Sequence, residues 1–550
     1  MRRWAGVAAP FSAPITTISA ALTVAVAVAS TPVAAQAISV DGGRISGTTA
    51  ANGVREWRGV PFAAAPVRAL RWRAPQPVEP WAGVRAADRY APQCMQSLRA
   101  PSINHYFGAE ATSEDCLYLN IWAPPAGQSR RGHLPVVVWI YGGGFTVGSA
   151  SMPNYSGAAM AARGVVQVNL SYRLGALGFL SHPELSAEAD GASGNYGLMD
   201  QIAGLQWIKR NIARFGGDPD NVTIMGQSAG SMSVSLLQVA PPARGLFHRI
   251  VAMSGGMFGD VMPMATLVQA QAQGVALQQS LGAASLAAMR GAAADRIINA
   301  PVARTPIVID GRVLTGTPDQ QFAAHQQADV PVMLGYTRDE AFRSLGPAPT
   351  IAAYDAAVRR LFPATGDAVL RAYPATTDAA AQRAATDVQR DASVGRQMAD
   401  WAVAQAANGR APAYIWFFGR THPYTPGVQF SDHDPATVGA YHSGDIPYWL
   451  GTMDSFNLFR STRTWGPGDR ALSARMMGYI VRFAHGQAPS ADWAAFNPAN
   501  PQIMPLDVDG PSAPAGMIDW PHFADLPLLR HAIVAPPVPA ATPTAARVRD

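Results

Sequence analysis

The chain contains almost no lysine. Lys209 is the only one, and every other member of the 42 basic residues is an arginine. These arginines are scattered along the sequence, so the net charge of +5 does not indicate a nucleic-acid-binding surface. The sequence also lacks internal repeats, and beyond its N-terminal region no apolar run is long enough to span a membrane. With hydrophobic residues at 48%, the composition is typical of a globular protein, and we expect no nucleic-acid partner.

The N-terminal residues have the pattern of an export signal. Arg2 and Arg3 precede an apolar run from Ile15 to Ala29, and small residues near Ala35 and Ala37 offer cleavage sites. We therefore predict a signal peptide over residues 1–37 and a secreted or periplasmic protein with no stable membrane anchor after cleavage. An uncleaved anchor is the alternative, but a spanning helix needs about 20 apolar residues.

Cysteine is also scarce. In an exported protein, the two cysteines Cys94 and Cys116 are expected to form one disulfide, which would contribute about 3 kcal/mol. The alternative is a pair of free thiols, or one reactive thiol. No histidine stands within a few residues of either cysteine, so the sequence gives little support to a cysteine nucleophile.

Apolar runs alternate with amphipathic stretches along the chain. Because these runs are continuous, they predict strands covered on both faces, as in a mainly parallel sheet. Between two runs, Ile202, Leu205, Ile208 and Ile212 recur at helical spacing, and Gly216-Gly217 followed by a turn at Asp218-Pro219 would end that helix. A strand, a helix and a second strand in this order predict an α/β fold. The runs are LPVVVWIYGG, GVVQVNLSYR, NVTIMGQSAG, GLFHRIVAMSGG, VPVMLGYTRDE and APAYIWFFGR.

We expect residues 38–535 to form a single domain. The alanine-rich residues 257–299 have a helical pattern and interrupt the series of strands. They predict a lid or side wall over a site, or a purely structural helical excursion. Residues 536–550 are rich in proline and alanine and predict a mobile tail.

A serine stands between two glycines where a predicted strand gives way to a helix. Gly226-Gln227-Ser228-Ala229-Gly230 has the G-x-S-x-G pattern of a nucleophile elbow, in which a sharp turn exposes the serine hydroxyl above the sheet. A serine needs a base to become a nucleophile, usually a histidine oriented by a carboxylate. Its reaction also needs backbone amides that stabilise an oxyanion.

A glycine run upstream can supply those amides. Gly142-Gly143-Gly144 follows a predicted strand, and glycine lets the backbone present its N–H groups without a side chain in the way. A phosphate-binding loop is excluded because no lysine-serine or lysine-threonine pair follows the run.

Two long motifs follow one another along the chain, SEDCLYLNIW from Ser113 to Trp122 and GNYGLMDQIAGLQWIKRNIARFGGDPDNVTIMGQSAG from Gly194 to Gly230. In this order they resemble the signatures of the type-B carboxylesterase family of the α/β hydrolases, which includes cholinesterases and bacterial para-nitrobenzyl-type esterases. The resemblance begins near WRGVPFAAAPVRALRWRAPQPVEPW and covers the mature chain. It implies an α/β-hydrolase fold, a large mainly parallel sheet flanked by helices.

The resemblance also assigns roles to particular residues. It implies Ser228 as nucleophile, Glu340 as acid and His442 as base. It implies an oxyanion hole from Gly143, Gly144 and Ala229, and a disulfide between Cys94 and Cys116. Arg173 and Asp200 resemble a structural ion pair, and Gln227, Ser254 and Asp445 match positions around the acid and base.

Two alternatives concern acidic residues. Asp339 adjoins Glu340 and could be the acid instead, since only the family pattern separates them. The segment Asp432 to Pro435 could suggest a metal site, but further ligands at fixed spacing are missing. We therefore predict no metal and no organic cofactor.

Gln227 replaces a glutamate that many family members carry before the serine. The amide removes a negative charge beside the reacting group but keeps hydrogen-bonding capacity. Cation-seeking relatives also have a tryptophan in the first cysteine loop, whereas residues 95–115 contain His105, Tyr106 and Phe107 and no tryptophan. These two differences predict that the protein is not a cholinesterase.

We therefore expect a secreted serine hydrolase of small-molecule carboxylic esters. The alternatives are the same triad acting on amide, carbamate or thioester bonds, and a binding or adhesion protein on the same fold. The natural ester, the pocket residues and the oligomeric state do not follow from the sequence.

Overall fold

A computed structural model describes residues 37–97, 110–127, 134–302, 305–341, 345–346, 348–508 and 516–530. The predicted signal peptide, apart from Ala37, and the predicted tail lie outside these residues. The strands are β1 (Ile38–Val40), β2 (Gly43–Ser46), β3 (Thr48–Thr49), β4 (Arg55–Pro61), β5 (Val84–Ala86), β6 (Gln93–Cys94), β7 (Thr112–Ser113), β8 (Tyr118–Ala123), β9 (Leu134–Ile140), β10 (Val166–Leu170), β11 (Gly217–Gln227), β12 (Arg249–Met253), β13 (Ala265–Thr266), β14 (Val308–Ile309), β15 (Val332–Thr337), β16 (Ala413–Phe418), β17 (Gln502–Leu506) and β18 (Ile518–Asp519).

The α-helices lie between and around these strands. They are α1 (Ala158–Ala161), α2 (Gly175–Phe179), α3 (Pro183–Glu188), α4 (Tyr196–Asn211), α5 (Ala229–Val239), α6 (Leu267–Ser280), α7 (Leu286–Gly291), α8 (Ala294–Ile298), α9 (Pro318–Ala323), α10 (Ile351–Leu361), α11 (Gly366–Ala372), α12 (Asp378–Arg390), α13 (Arg396–Asn408), α14 (Ile446–Leu450) and α15 (Pro467–Ala484). A π-helical turn at Asp391–Gly395 joins α12 to α13.

Eleven strands form one central sheet in the order β18-β17-β16-β15-β12-β11-β9-β10-β8-β4-β3. The run from β10 to β17 is parallel, and antiparallel strands close both edges. All six apolar runs singled out in the sequence form strands of the parallel region, so the predicted α/β class and mainly parallel sheet are confirmed. Their central residues are buried because helices cover both faces.

The predicted turn at Asp218-Pro219 falls within the range of β11, at a break in its pairing. Gly216 ends the helical segment with a left-handed φ of 93°, and Asp218 and Pro219 belong to the start of β11. Pairing with β9 jumps from Gly217–Leu134 to Val222–Val136, which marks an irregularity in the ladder. The Asp220 amide donates to Asp218 Oδ1 at 2.8 Å, so the chain makes a local turn there inside the strand range.

The predicted helical region after residue 257 contains α6, α7 and α8. Leu277, Leu286, Met289 and Ile297 pack with Leu177 in a small apolar cluster beside the main core. Ile298, at the end of α8, lines a cavity next to Thr146 and Val147, so the excursion forms a side wall there. Among the described residues, no helix is both long and apolar enough to cross a membrane.

Candidate active site

Ser228 occupies the sharp turn between β11 and α5. Its φ of 57° and ψ of −123° are unusual for a residue with a side chain. A Cβ at Gly226 would lie 2.3 Å from the Gly230 carbonyl, and one at Gly230 would lie 2.0 Å from the Ile140 oxygen. A side chain at either position would collide with neighbouring backbone atoms, so both positions require glycine, as the elbow motif predicted. The Ser228 amide donates to the Met253 carbonyl at 2.8 Å, which fixes the turn to the neighbouring strand.

Glu340 and His442 come together from segments that follow different strands. His442 Nδ1 hydrogen-bonds Glu340 Oε2, and the Thr337 amide donates to Glu340 Oε1 at 2.7 Å. The Glu340 side chain is fully buried, whereas the His442 side chain is 30% exposed. Since the carboxylate accepts the Nδ1 proton, a neutral imidazole has its free lone pair on Nε2, the nitrogen that faces away from Glu340.

Asp339, the alternative acid, has different partners. Its Oδ2 accepts a hydrogen bond from the Ala440 amide at 2.7 Å and from Arg338 Nε at 3.0 Å. Its other oxygen pairs with Arg383. Asp339 therefore holds the backbone just before His442, and only its neighbour Glu340 reaches the imidazole.

Gln227 contacts the other nitrogen of the imidazole. Gln227 Nε2 and His442 Nε2 lie 3.1 Å apart, so the amide donates to the lone pair that Glu340 leaves free. Gln227 is buried and precedes Ser228 directly. This contact therefore places Nε2 of His442 beside the residue that precedes Ser228. Gln227 uses its hydrogen-bonding capacity here, and its effect on catalysis stays a prediction.

The glycine-rich loop lies against the elbow. A Cβ on Gly142 would be 2.9 Å from the Ser228 Cβ, and one on Gly143 would be 2.0 Å from the Val147 oxygen. Gly143 and Gly144 have φ values of 111° and 63°, which only glycine adopts without strain. Ala229 is the first residue of α5, so its amide has no partner within the helix. Gly143, Gly144 and Ala229 thus belong to the two segments that meet at Ser228, and their expected role as an oxyanion hole stays a prediction.

Ser254 and Asp445 are both fully buried. Ser254 follows β12 with a φ of 56°, and its amide donates to the Gly335 carbonyl at 2.8 Å in β15, the strand that precedes Glu340. Asp445 Oδ2 accepts from Trp449 Nε1 at 3.2 Å, and Oδ1 has no hydrogen-bond partner among the described residues. Burial, and second the Glu340 carboxylate, raise the pKa of Asp445 from 3.8 to about 7. Asp445 is thus a buried carboxyl that resists ionisation near Glu340.

His422 was not anticipated from the sequence. Its Nε2 donates to the Gly444 carbonyl at 2.7 Å, and its Nδ1 accepts from Arg463 Nε at 3.2 Å and lies 3.1 Å from the Tyr441 hydroxyl. Burial, and second the charge of Arg463, lower the pKa of His422 to about 3, so it stays neutral. His422 therefore contacts residues on both sides of His442, Tyr441 before it and Gly444 after it. Its only signal in the sequence is a position shortly after a strand end.

Two predicted structural pairs are present. Cys94 and Cys116 form a disulfide, with their Cα atoms 5.0 Å apart. Arg173 and Asp200 form a buried bidentate ion pair, with contacts of 2.8 and 2.7 Å. The Arg173 amide also donates to Asp200 at 2.9 Å.

A cavity of about 450 Å³ opens beside the glycine-rich loop. Met95, Gln96, Ser97, Thr146, Val147 and Ile298 are among the residues that line it. The absence of a tryptophan from the cysteine loop concerns a segment whose middle, with His105, Tyr106 and Phe107, lies outside the described residues. Within the described residues, no group of three or more histidine, cysteine or acidic side chains could hold a metal ion.

Comparison with known families decides the classification. Residues 34–515 match the model of the carboxylesterase family. The chain belongs to the carboxylesterase family. This carboxylesterase is 36% identical over 476 residues to fumonisin B1 esterase from Sphingopyxis macrogoltabida, covering 80% of this chain and 82% of that protein. It is 31% identical over 496 residues to para-nitrobenzyl esterase from Bacillus subtilis (strain 168), covering 86% and 95%.

A solved structure of a PNB esterase superposes on this carboxylesterase with a TM-score of 0.73 and 30% sequence identity. The superposition covers 90% of this chain and 99% of the PNB esterase. The α/β-hydrolase fold expected from the sequence motifs is thereby confirmed, and so is the assignment as a carboxylic ester hydrolase.

Proposed function

We propose that this carboxylesterase is an exported serine esterase that hydrolyses small-molecule esters through an acyl-enzyme, with Ser228, His442 and Glu340 as its triad. The observation that supports this proposal is the position of the His442 imidazole. Its Nδ1 bonds to the buried Glu340 carboxylate, and its Nε2 contacts Gln227 beside Ser228. This arrangement supplies what a serine nucleophile requires, a base oriented by an acid.

In the proposed first half-reaction, His442 Nε2 takes the proton of the Ser228 hydroxyl as its oxygen attacks the ester carbonyl. Glu340 keeps the Nδ1 proton in place and stabilises the imidazolium. The amides of Gly143, Gly144 and Ala229 stabilise the oxyanion. The alcohol then leaves with the proton from His442.

In the second half-reaction, water replaces the alcohol and attacks the acyl-enzyme. His442 takes a proton from this water and returns it to Ser228 as the acid is released. Gln227 donates to Nε2 in the resting geometry, so its amide must turn its oxygen toward the imidazolium, or release it, whenever Nε2 carries the proton.

Export is supported by the basic and apolar pattern of residues 1–37 and is compatible with the Cys94–Cys116 disulfide. N-terminal sequencing of the protein recovered from the culture medium and from the periplasm tests this part. A start at or near residue 36 or 38 in either fraction supports export. A start at residue 1 in the cell pellet contradicts it.

Ester hydrolysis is tested with a graded panel from para-nitrophenyl acetate to para-nitrobenzyl esters and fumonisin B1, the last two taken from the names of the relatives. Ser228→Ala is measured in parallel, together with labelling by a fluorophosphonate. We expect the variant to lose at least about 10³-fold in kcat and all labelling. A folded wild-type protein that hydrolyses no ester and takes no label would refute the proposal. Amide analogues with the same acyl group separate esterase from amidase activity.

A further inference from the structure

The side chain of Gln96 connects the disulfide to the glycine-rich loop Gly142–Gly148, here named the oxyanion loop. Its Oε1 accepts from the Gly148 amide at 2.9 Å, and its Nε2 donates to the Gly148 carbonyl at 2.8 Å. The same Nε2 donates to the Cys94 carbonyl at 3.1 Å. Gln96 is 4% exposed, so these bonds form away from water. The carboxamide thus binds both backbone groups of Gly148, as a neighbouring strand would.

Gly148 lies directly against the beginning of the oxyanion loop. A Cβ on Gly148 would be 2.5 Å from the Tyr141 ring and 2.6 Å from the Gly142 carbonyl. Gly142 in turn lies against Ser228. Because no side chain fits between Gly148, the Gly142 carbonyl and the Tyr141 ring, we expect a displacement of Gly148 to displace the turn that carries Gly143 and Gly144.

The loop is fixed mainly by its own turn and by a few outside contacts. The amides of Thr146 and Val147 both donate to the Gly143 carbonyl at 3.1 Å, which closes the turn on itself. From outside, the Gly175 amide donates to the Phe145 carbonyl at 2.7 Å. The Gln96 carboxamide contacts Gly148, at the C-terminal end of the loop. It therefore sets the position of the closed turn relative to Ser228.

The disulfide holds the segment that carries Gln96. Cys94 lies two residues before Gln96 in the short strand β6, which pairs with β7 over two residues only. Its bond to Cys116 joins this segment to Leu117 and β8 of the central sheet. Both cysteines are buried. Without the cross-link, the backbone before Gln96 would be held by that two-residue pairing and by the bond from Gln93 Nε2 to the Glu110 carbonyl at 3.2 Å.

We propose that Gln96 is a positioning residue for the oxyanion hole and that the Cys94–Cys116 disulfide acts on catalysis through it. This inference rests on the proposed function, in which Gly143 and Gly144 stabilise the oxyanion. A misplacement of about 1 Å costs about 10²-fold in rate, and so does the loss of one oxyanion donor. Gln96→Met keeps the shape of the side chain and removes its donors and acceptor. We expect it to lower kcat about 10- to 100-fold and to leave KM within about threefold.

The test is a thermodynamic cycle on the full chain. Wild type, Gln96→Met, the double variant Cys94→Ala/Cys116→Ala and the triple variant are compared by kcat and KM on one para-nitrophenyl ester. If the disulfide acts through Gln96, the triple variant is no slower than the double variant, within about twofold. Circular dichroism and thermal melting confirm that each variant is folded at the assay temperature.

Gln405→Met is the matched control. Gln405 is a buried glutamine in α13 whose Nε2 donates to the Ala411 carbonyl at 3.1 Å and whose Oε1 accepts from Gln238 at 3.0 Å. The substitution removes a buried carboxamide remote in sequence from the oxyanion loop, so it should lower the melting temperature and leave kcat unchanged. A comparable loss of kcat in this control would assign the effect of Gln96→Met to general destabilisation and overturn the inference.

Two further outcomes also overturn it. Wild-type kcat in Gln96→Met would show that Gln96 does not position the oxyanion hole. Penalties that multiply in the triple variant would show that the disulfide and Gln96 act independently. A raised KM with unchanged kcat would make Gln96 a substrate contact in the adjoining cavity. An inactive wild type refutes the proposed function instead. In that case, hydrogen exchange of the oxyanion-loop amides, expected to accelerate in Gln96→Met but not in Gln405→Met, still tests the structural connection.

Discussion

The buried carboxyl of Asp445 predicts the direction and the magnitude of a change in the free energy of unfolding with pH. Its pKa is about 7 in the folded protein and 3.8 as its ordinary value, because burial and the nearby Glu340 carboxylate oppose its ionisation. The folded protein therefore binds more protons than the unfolded chain between about pH 4 and about pH 7. Since stability falls with rising pH wherever the folded state binds more protons, Asp445 lowers the free energy of unfolding across this window.

The size follows from the pKa difference. At 1.36 kcal/mol per pKa unit, a difference of about three corresponds to at most about 4 kcal/mol above pH 7. Asp445→Asn keeps the shape of the side chain and cannot ionise. Whatever its pH-independent cost, the variant should gain stability relative to wild type as the pH rises from about 4 to about 8, by up to about 4 kcal/mol.

Urea unfolding of both proteins at half-unit steps over that range measures the difference directly. Trp449→Phe provides the control, since it removes the N–H that donates to Asp445 and so helps its charged form. It should steepen the loss of stability with pH in wild type and have a pH-independent effect in the Asp445→Asn background. A difference between Asp445→Asn and wild type that stays flat over the whole range would refute the reasoning.

Three other substitutions test the site and its support. Gln227→Glu places a carboxylate against His442 Nε2 and stabilises its protonated form, so the acid limb of the kcat/KM profile should move to higher pH by about one unit or more; an unmoved limb would contradict the contact. Asp200→Asn leaves the buried charge of Arg173 uncompensated and should cost about 3–5 kcal/mol in urea unfolding, whereas a cost under about 1 kcal/mol would contradict the pairing. Ser228→Gly should be more stable than Ser228→Ala by about 1 kcal/mol in thermal melting, because only glycine relieves the backbone strain at a φ of 57°; the reverse order would show that the elbow is unstrained.

The parallel strands could be predicted from the sequence because residues covered on both faces leave a continuous apolar run. At Asp218-Pro219 the residue types predicted a turn, and the Asp220 amide does donate to the Asp218 side chain there. That β11 already begins at Gly217, before this turn, depends on the pairing of Gly217 with Leu134 in β9, which a local sequence pattern does not contain. Local residue types therefore identified the strands more reliably than their boundaries.

The elbow could be predicted because its glycines are required by close backbone approach. Choosing Glu340 over Asp339 was not possible from residue types, and only the family motif favoured it. In the structure these neighbouring side chains diverge, Glu340 to the imidazole and Asp339 to the Ala440 amide. The two adjacent carboxylates thus bind one loop at two points, the His442 side chain and the Ala440 backbone.

The residues that sequence reasoning missed share a physical reason. Gln96 binds the Gly148 amide and carbonyl, and His422 binds the Gly444 carbonyl in addition to the side chains of Arg463 and Tyr441. A backbone partner has no residue type of its own, so such a contact leaves no complementary pair in the sequence to recognise.

Burial separates the proposed reacting groups from the groups that hold them. Ser228 and His442 are partly exposed, as the proposed reaction with a substrate requires, while Glu340, Gln96 and His422 are almost completely buried. An exposed side chain that contacts few atoms cannot fix its own position, so the precision needed at the ester carbonyl must come from buried hydrogen bonds around it. The structure supplies such hydrogen bonds to each part of the site. The Thr337 amide binds Glu340, and His422 and Asp339 bind the backbone on either side of His442. Gln96 binds the oxyanion loop. Activity should therefore be sensitive to substitutions at buried polar residues that never touch the substrate.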